Sequence, residues 1–206
     1  MNKLKIGVLG SARGSDLPSI VESINKGELK GLAEIVSVIS DKENSGILHK
    51  AKNYKLKNYY LNPIGIQREE YDKIISEIFE EKDIQLIACI GYMRLLSRDF
   101  VVKYKNKIMN IHPSLLPSFP GIDLDVHKQV LDYGCKLSGC TLFFVDEGKD
   151  TGPIIMQKAV PVYDNDDAEI LKARVQSAEQ EIYPKGIKLF AQGKLKVEGR
   201  KVIILQ

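Results

Sequence analysis

The chain has 206 residues, enough for one substantial buried core, and its 44% hydrophobic and 28% charged content excludes a disordered or low-complexity chain. Its 30 Lys and Arg against 27 Asp and Glu leave a formal charge of +3, too slight a bias to imply nucleic acid as a partner, though compatible with a local basic site for an anionic ligand. No apolar run approaches the roughly 18 residues of a membrane span, and the run after Lys5 breaks at Gly10 and Ser11, unlike a secretory signal. Cys89, Cys135 and Cys140, odd in number and without the close pairing of a zinc ribbon, read as reduced thiols of a cytoplasmic protein.

In chain order, Leu4 to Leu9, Glu34 to Ser40, Ile84 to Ile90 and Lys107 to Ile111 are short runs rich in Ile, Val and Leu, as strands buried on both faces are. Helical spacing fills the stretches between them. Tyr71, Ile74, Ile75, Ile78 and Phe79, for instance, recur at three- and four-residue steps and share one helix face. Strands alternating with helices imply crossover connections, so the expected fold is α/β, a Rossmann-like, mainly parallel sheet with flanking helices. After about Pro120 the texture changes. Gly139 to Val145 and Ile154 to Val162 are strand-like and separated only by a loop, which predicts an antiparallel pair. A long helix carrying Leu171, Val175, Ala178 and Ile182 on one face follows, with Pro184 expected to end or kink it, and then a terminal hairpin around Glu198-Gly199-Arg200. With no repeat or linker in sight, residues 1–206 are expected to form one domain, with a Rossmann-like half of about 1–110 and a second half of about 111–206.

Three segments carry chemistry. Gly10-Ser11-Ala12-Arg13-Gly14-Ser15-Asp16 follows the first strand and opens a helix, so its backbone N–H groups suit a phosphate; it also suits close strand-to-helix packing, and it matches neither common nucleotide fingerprint. Asp16 is repulsive to a phosphate unless it turns outward as a helix cap. Asn110 and His112, two residues apart at the end of a strand, point the same way, placing an oxyanion donor beside a proton shuttle at the edge where parallel sheets bind ligands. Pro113, Pro117 and Pro120 stiffen the departing loop. A core histidine beside a capping asparagine is the plain alternative. Finally, the loop Asp146-Glu147-Gly148-Lys149-Asp150-Thr151-Gly152-Pro153 holds three carboxylates, ordinary turn chemistry unless one of them reaches His112 and orients its ring. Spacing leaves open which one. Asp164-Asn165-Asp166-Asp167 lacks the glycine and glutamate of a calcium loop and reads as a turn and helix cap.

Taken in order, Asn110-Ile111-His112-Pro113-Ser114-Leu115-Leu116-Pro117, Pro120-Gly121 and Asp150-Thr151-Gly152-Pro153 closely resemble the folate-dependent phosphoribosylglycinamide formyltransferase family. The likeness runs from Leu4 to about Gly193 and includes Gly14-Ser15, Gly91-Tyr92-Met93-Arg94-Leu95-Leu96-Ser97, and Arg174-Val175-Gln176 through Glu179 to Tyr183-Pro184.

The resemblance implies transfer of a formyl group from 10-formyltetrahydrofolate, a co-substrate, to the amine of glycinamide ribonucleotide in purine synthesis, by direct attack through a tetrahedral intermediate and without a metal. It implies Asn110 on the formyl oxygen, His112 as proton donor and Asp150 as the carboxylate that supports it. It places the folate against Arg68, Met93, Arg94, Leu95 and Leu96, with Asn110 also touching it, the phosphate at Gly14, Ser15 and Asp16, and the ribose side at Gln176 and Glu179. Of the two halves, that of about 1–110 is expected to bind the phosphate and that of about 111–206 to carry catalysis and folate binding. The expected partners are these small molecules, with neither nucleic acid nor membrane, for a cytoplasmic monomer or homodimer. The chain departs from the family at Ala12, usually glycine, and at Asp16, usually asparagine, which makes the turn stiffer and more negative. His49 and the Asp-rich segment from Ile122 to His127 receive no role. Among relatives of the same chemistry, methionyl-tRNA formyltransferase carries a further C-terminal domain and formyltetrahydrofolate hydrolase an N-terminal one, so neither is the expected match. The hydrolase reaction, or binding without transfer, stands as the alternative.

Overall fold

The computed structural model describes residues 2–121 and 123–206, the side chains of 123–125 excepted, so the Asp-rich segment begins outside the described residues. The first half alternates: β1 (Leu4–Leu9), α1 (Leu17–Lys26), β2 (Ala33–Ser40), α2 (Gly46–Asn53), β3 (Asn58–Tyr60), α3 (Arg68–Glu81), β4 (Leu86–Cys89), α4 (Arg98–Lys103) and β5 (Ile108–His112). The second half adds α5 (Asp123–Asp132), β6 (Leu137–Phe144), β7 (Ile154–Pro161), α6 (Ala168–Ala191), β8 (Leu195–Glu198) and β9 (Lys201–Ile204).

The strands form one sheet in the order β3-β2-β1-β4-β5-β6-β7-β9-β8. From β3 to β5 all pairings are parallel, whereas β5–β6 and β6–β7 are antiparallel, the latter as the short loop between those two runs predicts. Because β1 lies between β2 and β4, the chain leaves β1 in one direction and returns on its other side; ligands of open parallel sheets bind in the crevice at such a switch point.

Apolar residues cover both faces. Ile6, Val8, Ala88, Met109, Leu142 and Phe144 pack with α1, α2 and α6, and Leu9, Ile39, Ile87 and Ile108 pack with Tyr71, Ile75 and Phe79 of α3 and Phe100 of α4. Gly7 lets α3 come close, since a Cβ there would stand 2.7 Å from the Phe79 ring. The long helix does not end at Pro184 but runs on to Ala191. Proline removes one backbone donor there, and burial of the helix offsets that loss: Leu171, Val175, Ile182, Tyr183 and Ile187 are all inaccessible or nearly so. Tyr183 donates through its hydroxyl toward the carbonyls of Cys89 and Met109, both at 3.0 Å, pinning α6 across β4 and β5. The α6 N-terminus is capped as expected, with Asp167 accepting from Ile170 N–H at 2.8 Å. At the tail, β8 and β9 pair as a hairpin, and β9 joins the sheet beside β7.

Candidate active site

The carboxyl ends of β1, β4 and β5 open into a cleft of about 300 Å³. Its lining includes Ser15 and Asp16 from the turn after β1, Met93 to Leu96 from the segment after β4, Asn110 and His112 from β5, Asp150 from the loop after β6, Arg68 from α3, and Gln176 and Glu179 from α6. Thus every residue to which the resemblance gives a site role, except Gly14, lines one cavity.

Gly14 backs the turn instead. Its φ of +64° suits glycine, and a Cβ there would lie 2.6 Å from Ile47. The turn is stitched on three sides: Ser11 N–H donates to the Gly91 carbonyl at 3.0 Å and Ser11 Oγ accepts from Met93 N–H at 2.9 Å. Ile47 N–H donates to the Ala12 carbonyl at 3.1 Å, while Gln180 Nε2 of α6 donates to the Ser15 carbonyl at 3.1 Å. Asp16 stands at the N-cap position of α1 without making a capping bond. It is only 3% exposed and faces the cleft, so it does not turn outward. Glu179, 6% exposed, is a second carboxyl side chain lining this end of the cleft.

At the centre, His112 is 4% exposed and Asn110 half-buried beside it. His112 Nε2 lies 2.9 Å from the Phe119 carbonyl, which can only accept, so Nε2 carries a proton and Nδ1 is left facing the Asp150 carboxylate at 3.8 Å. Asp150 has a φ of +54°, a backbone state held by the surrounding loop, and its Oδ2 also accepts from Gly121 N–H at 3.3 Å. The other two carboxylates of that loop are engaged elsewhere. Asp146 accepts from Gly148 N–H and the Thr151 hydroxyl, and Glu147 pairs with Arg98 at 2.9 Å. The loop behind His112 is tied down by Thr141, whose hydroxyl donates to the Ser114 carbonyl at 2.7 Å and accepts from Leu116 N–H at 3.0 Å, and by Gln157, which donates to the Leu116 carbonyl at 3.0 Å.

The other end is apolar and basic. Met93, Leu95, Leu96, Val101, Phe143 and Val145 offer a greasy wall, while the Arg94 guanidinium lies 4.5 Å over the Tyr71 ring. Arg68 opens α3 at the rim and pairs with Glu69 at 2.9 Å. The arrangement can hold a flat heteroaromatic group against the wall, stabilise a developing oxyanion with Asn110 and move a proton with His112. Burial pushes Cys89 and Cys140 up to about 12, Asp72 adding to the first and Glu179 and Asp16 to the second.

Sequence reasoning missed Phe119, whose contribution is a backbone carbonyl and carries no side-chain signal, and Tyr183 as an anchor. It also missed Asp72. That residue had a signal: a carboxylate between Tyr71 and Ile75 on the apolar face of a helix.

Residues 4–187 match the Formyl transferase family. The chain is 41% identical over 95% of its length to the trifunctional purine biosynthetic protein adenosine-3 of Gallus gallus, of which it spans 19%, about a fifth. It is 36% identical to the phosphoribosylglycinamide formyltransferase of Escherichia coli, over 94% of this chain and 90% of that one. The fold superposes on glycinamide ribonucleotide transformylase 1 from Symbiobacterium toebii with a TM-score of 0.94 and 38% identity, covering 99% of this chain and 95% of the other. On its own motifs, its cleft and these likenesses, the chain belongs to the formyl transferase family, in its phosphoribosylglycinamide formyltransferase branch.

Proposed function

We propose that the chain transfers the formyl group of 10-formyltetrahydrofolate to the amine of glycinamide ribonucleotide, in the cytoplasm and as a step of purine synthesis. One observation carries this reading: Asn110, His112 and Asp150 converge in a cleft whose apolar, arginine-bearing end fits a folate and whose opposite end is a helix-opening turn. The folate ring lies against Met93, Arg94, Leu95 and Leu96, with Arg68 at the rim for its carboxylates. The acceptor phosphate sits on the backbone of Gly14 and Ser15, and its ribose faces Gln176 and Glu179. The chain works as one unit. Residues 1–110 supply the phosphate turn and 111–206 most of the catalytic groups, yet both halves border both ends of the cleft.

Chemistry follows from the positions. Asn110 donates to the formyl oxygen as the acceptor amine attacks, and its amide is worth more to the tetrahedral oxyanion than to the carbonyl. His112, with Nε2 held on Phe119, presents Nδ1 beside Asp150 and takes up there the proton that the acceptor amine sheds as its bond to the formyl carbon forms. It passes that proton to the departing folate nitrogen. No covalent enzyme intermediate is required.

The test mixes the protein with 10-formyltetrahydrofolate, with and without glycinamide ribonucleotide, and follows folate absorbance. Loss of the formyl group that depends on the acceptor is the expected result. Loss without acceptor assigns the hydrolase reaction instead, and binding of both ligands without transfer refutes catalysis.

A further inference from the structure

Asp72 belongs to α3, is 2% exposed, and takes no part in the chemistry above. It stands one helical turn after Arg68, on the same face. Its Oδ2 accepts a hydrogen bond from Ser97 N–H at 2.5 Å. Ser97 is the hinge between two elements: it ends the cleft-lining segment Gly91 to Leu96, and its hydroxyl caps α4 by accepting from Phe100 N–H at 3.4 Å. Arg94 and Arg68, whose positive charges lower the Asp72 carboxyl, both line the cleft. Arg94 is otherwise held by stacking on Tyr71, the neighbour of Asp72, and its Nε is buried without a hydrogen-bond partner.

We propose that Asp72 is a positioning residue for the folate end of the cleft: from behind the wall, its carboxylate fixes Ser97 and opposes the Arg94 charge, holding residues 91–97 in their binding shape. The proposal rests on the reading that this wall binds the formyl donor. A purely structural role accounts poorly for the charge. Burial raises the Asp72 carboxyl above the ordinary carboxylate value, by more than the Ser97 hydrogen bonds, Arg94 and Arg68 lower it, so ionising it costs the fold stability. A neutral residue of the same shape would serve packing better.

The experiment compares the full chain with Asp72→Asn and Asp72→Ala, measuring KM for donor and acceptor separately, kcat at saturating donor, tetrahydrofolate binding by titration, and the melting temperature. For Asp72→Asn, which keeps the shape and an acceptor for Ser97, donor KM and the tetrahydrofolate Kd are expected to rise about tenfold, the worth of one charge-assisted contact. Acceptor KM stays within about twofold and the melting temperature does not fall, because the costly charge is gone. Asp72→Ala, which also orphans Ser97 N–H, weakens donor binding further. An unchanged tetrahydrofolate Kd in Asp72→Asn overturns the proposal while leaving the function intact, as does a parallel loss for both substrates with a lower melting temperature. Failure of the unsubstituted chain to bind tetrahydrofolate withdraws the functional reading and the proposal together.

Discussion

At the scale of single residues, the site divides its work between side chains that touch the reacting atoms and a backbone that aims them. Asn110 and His112 project into the cleft from one strand, and the imidazole is oriented by the Phe119 carbonyl at 2.9 Å and the Asp150 carboxylate at 3.8 Å. Removing one preorganised oxyanion donor costs about 10²- to 10³-fold in rate. His112→Ala and Asn110→Ala are therefore each expected to lower kcat by at least about 100-fold while leaving the tetrahydrofolate Kd nearly unchanged. Steady-state rates set beside ligand titrations check this, and near-normal turnover in either variant removes the assignment. Asp16 poses the reverse case, a carboxylate facing the cleft from the turn proposed to hold a phosphate. Two like charges about 6 Å apart repel by roughly 1–3 kcal/mol at an effective dielectric between that of a protein surface and water. Asp16→Asn is thus expected to lower the acceptor KM about fivefold or more at low salt. An acceptor KM that rises would show that the carboxylate recognises a hydroxyl donor instead.

Among the elements, α6 does more than its sequence pattern suggests. It brings Gln176 and Glu179 to the cleft, joins the β1 turn through Gln180 and anchors two strands through Tyr183. Its first turns are fastened by Arg174, which makes a two-pronged pair with Asp166 at 2.6 and 2.8 Å and stacks on Tyr163. The Arg174 hydrogen bonds hold the Asp166 carboxyl down to about 2. Because the folded value lies below the unfolded one, the pair stabilises the fold above the ordinary carboxylate range and is lost as pH falls toward about 2. Arg174→Met keeps much of the aliphatic stem but removes the charge. Its acid unfolding midpoint, followed by circular dichroism, is expected at higher pH than that of the unsubstituted chain; coincident acid curves would count against the pairing. Pro184 teaches a related lesson. Local propensity argues for a break, yet a helix buried along most of its length continues past it.

For the molecule as a whole, one sheet carries both the parallel half and the antiparallel addition, and the cleft lies where the two halves meet. Apolar packing is continuous across that boundary: Ile6 and Val8 of the first half share a cluster with Leu142, Phe144 and Ile182 of the second. The expected outcome is a single cooperative unfolding transition, coincident by far-ultraviolet and near-ultraviolet circular dichroism. Two resolved transitions would mean that the halves fold separately. Among the described residues no helix is long and apolar enough to cross a membrane.

Much of this was legible from residue order. Continuous β-branched runs marked β1, β2, β4 and β5, because strands buried on both faces must be apolar throughout, and the short loop before Ile154 marked the antiparallel pair. Pairing Asn110 with His112 needed only the two-residue period of a strand. β3 escaped notice because its three residues, Asn58 to Tyr60, are partly exposed and carry no apolar run. Which of three neighbouring carboxylates faces His112 is a matter of loop geometry, since Asp146 turns back on its own loop and Glu147 turns to Arg98. The sequence by itself determined the strand and helix types and the Asn–His pair, which depend on local periodicity and residue chemistry, and it carried the motifs on which the family resemblance rests. The tertiary structure alone decided the strand order, the inward face of Asp16, the Phe119 carbonyl on His112 and the place of Asp72 behind the 91–97 wall. Each of these joins residues far apart in the chain or uses backbone atoms common to every residue, so no local pattern records it.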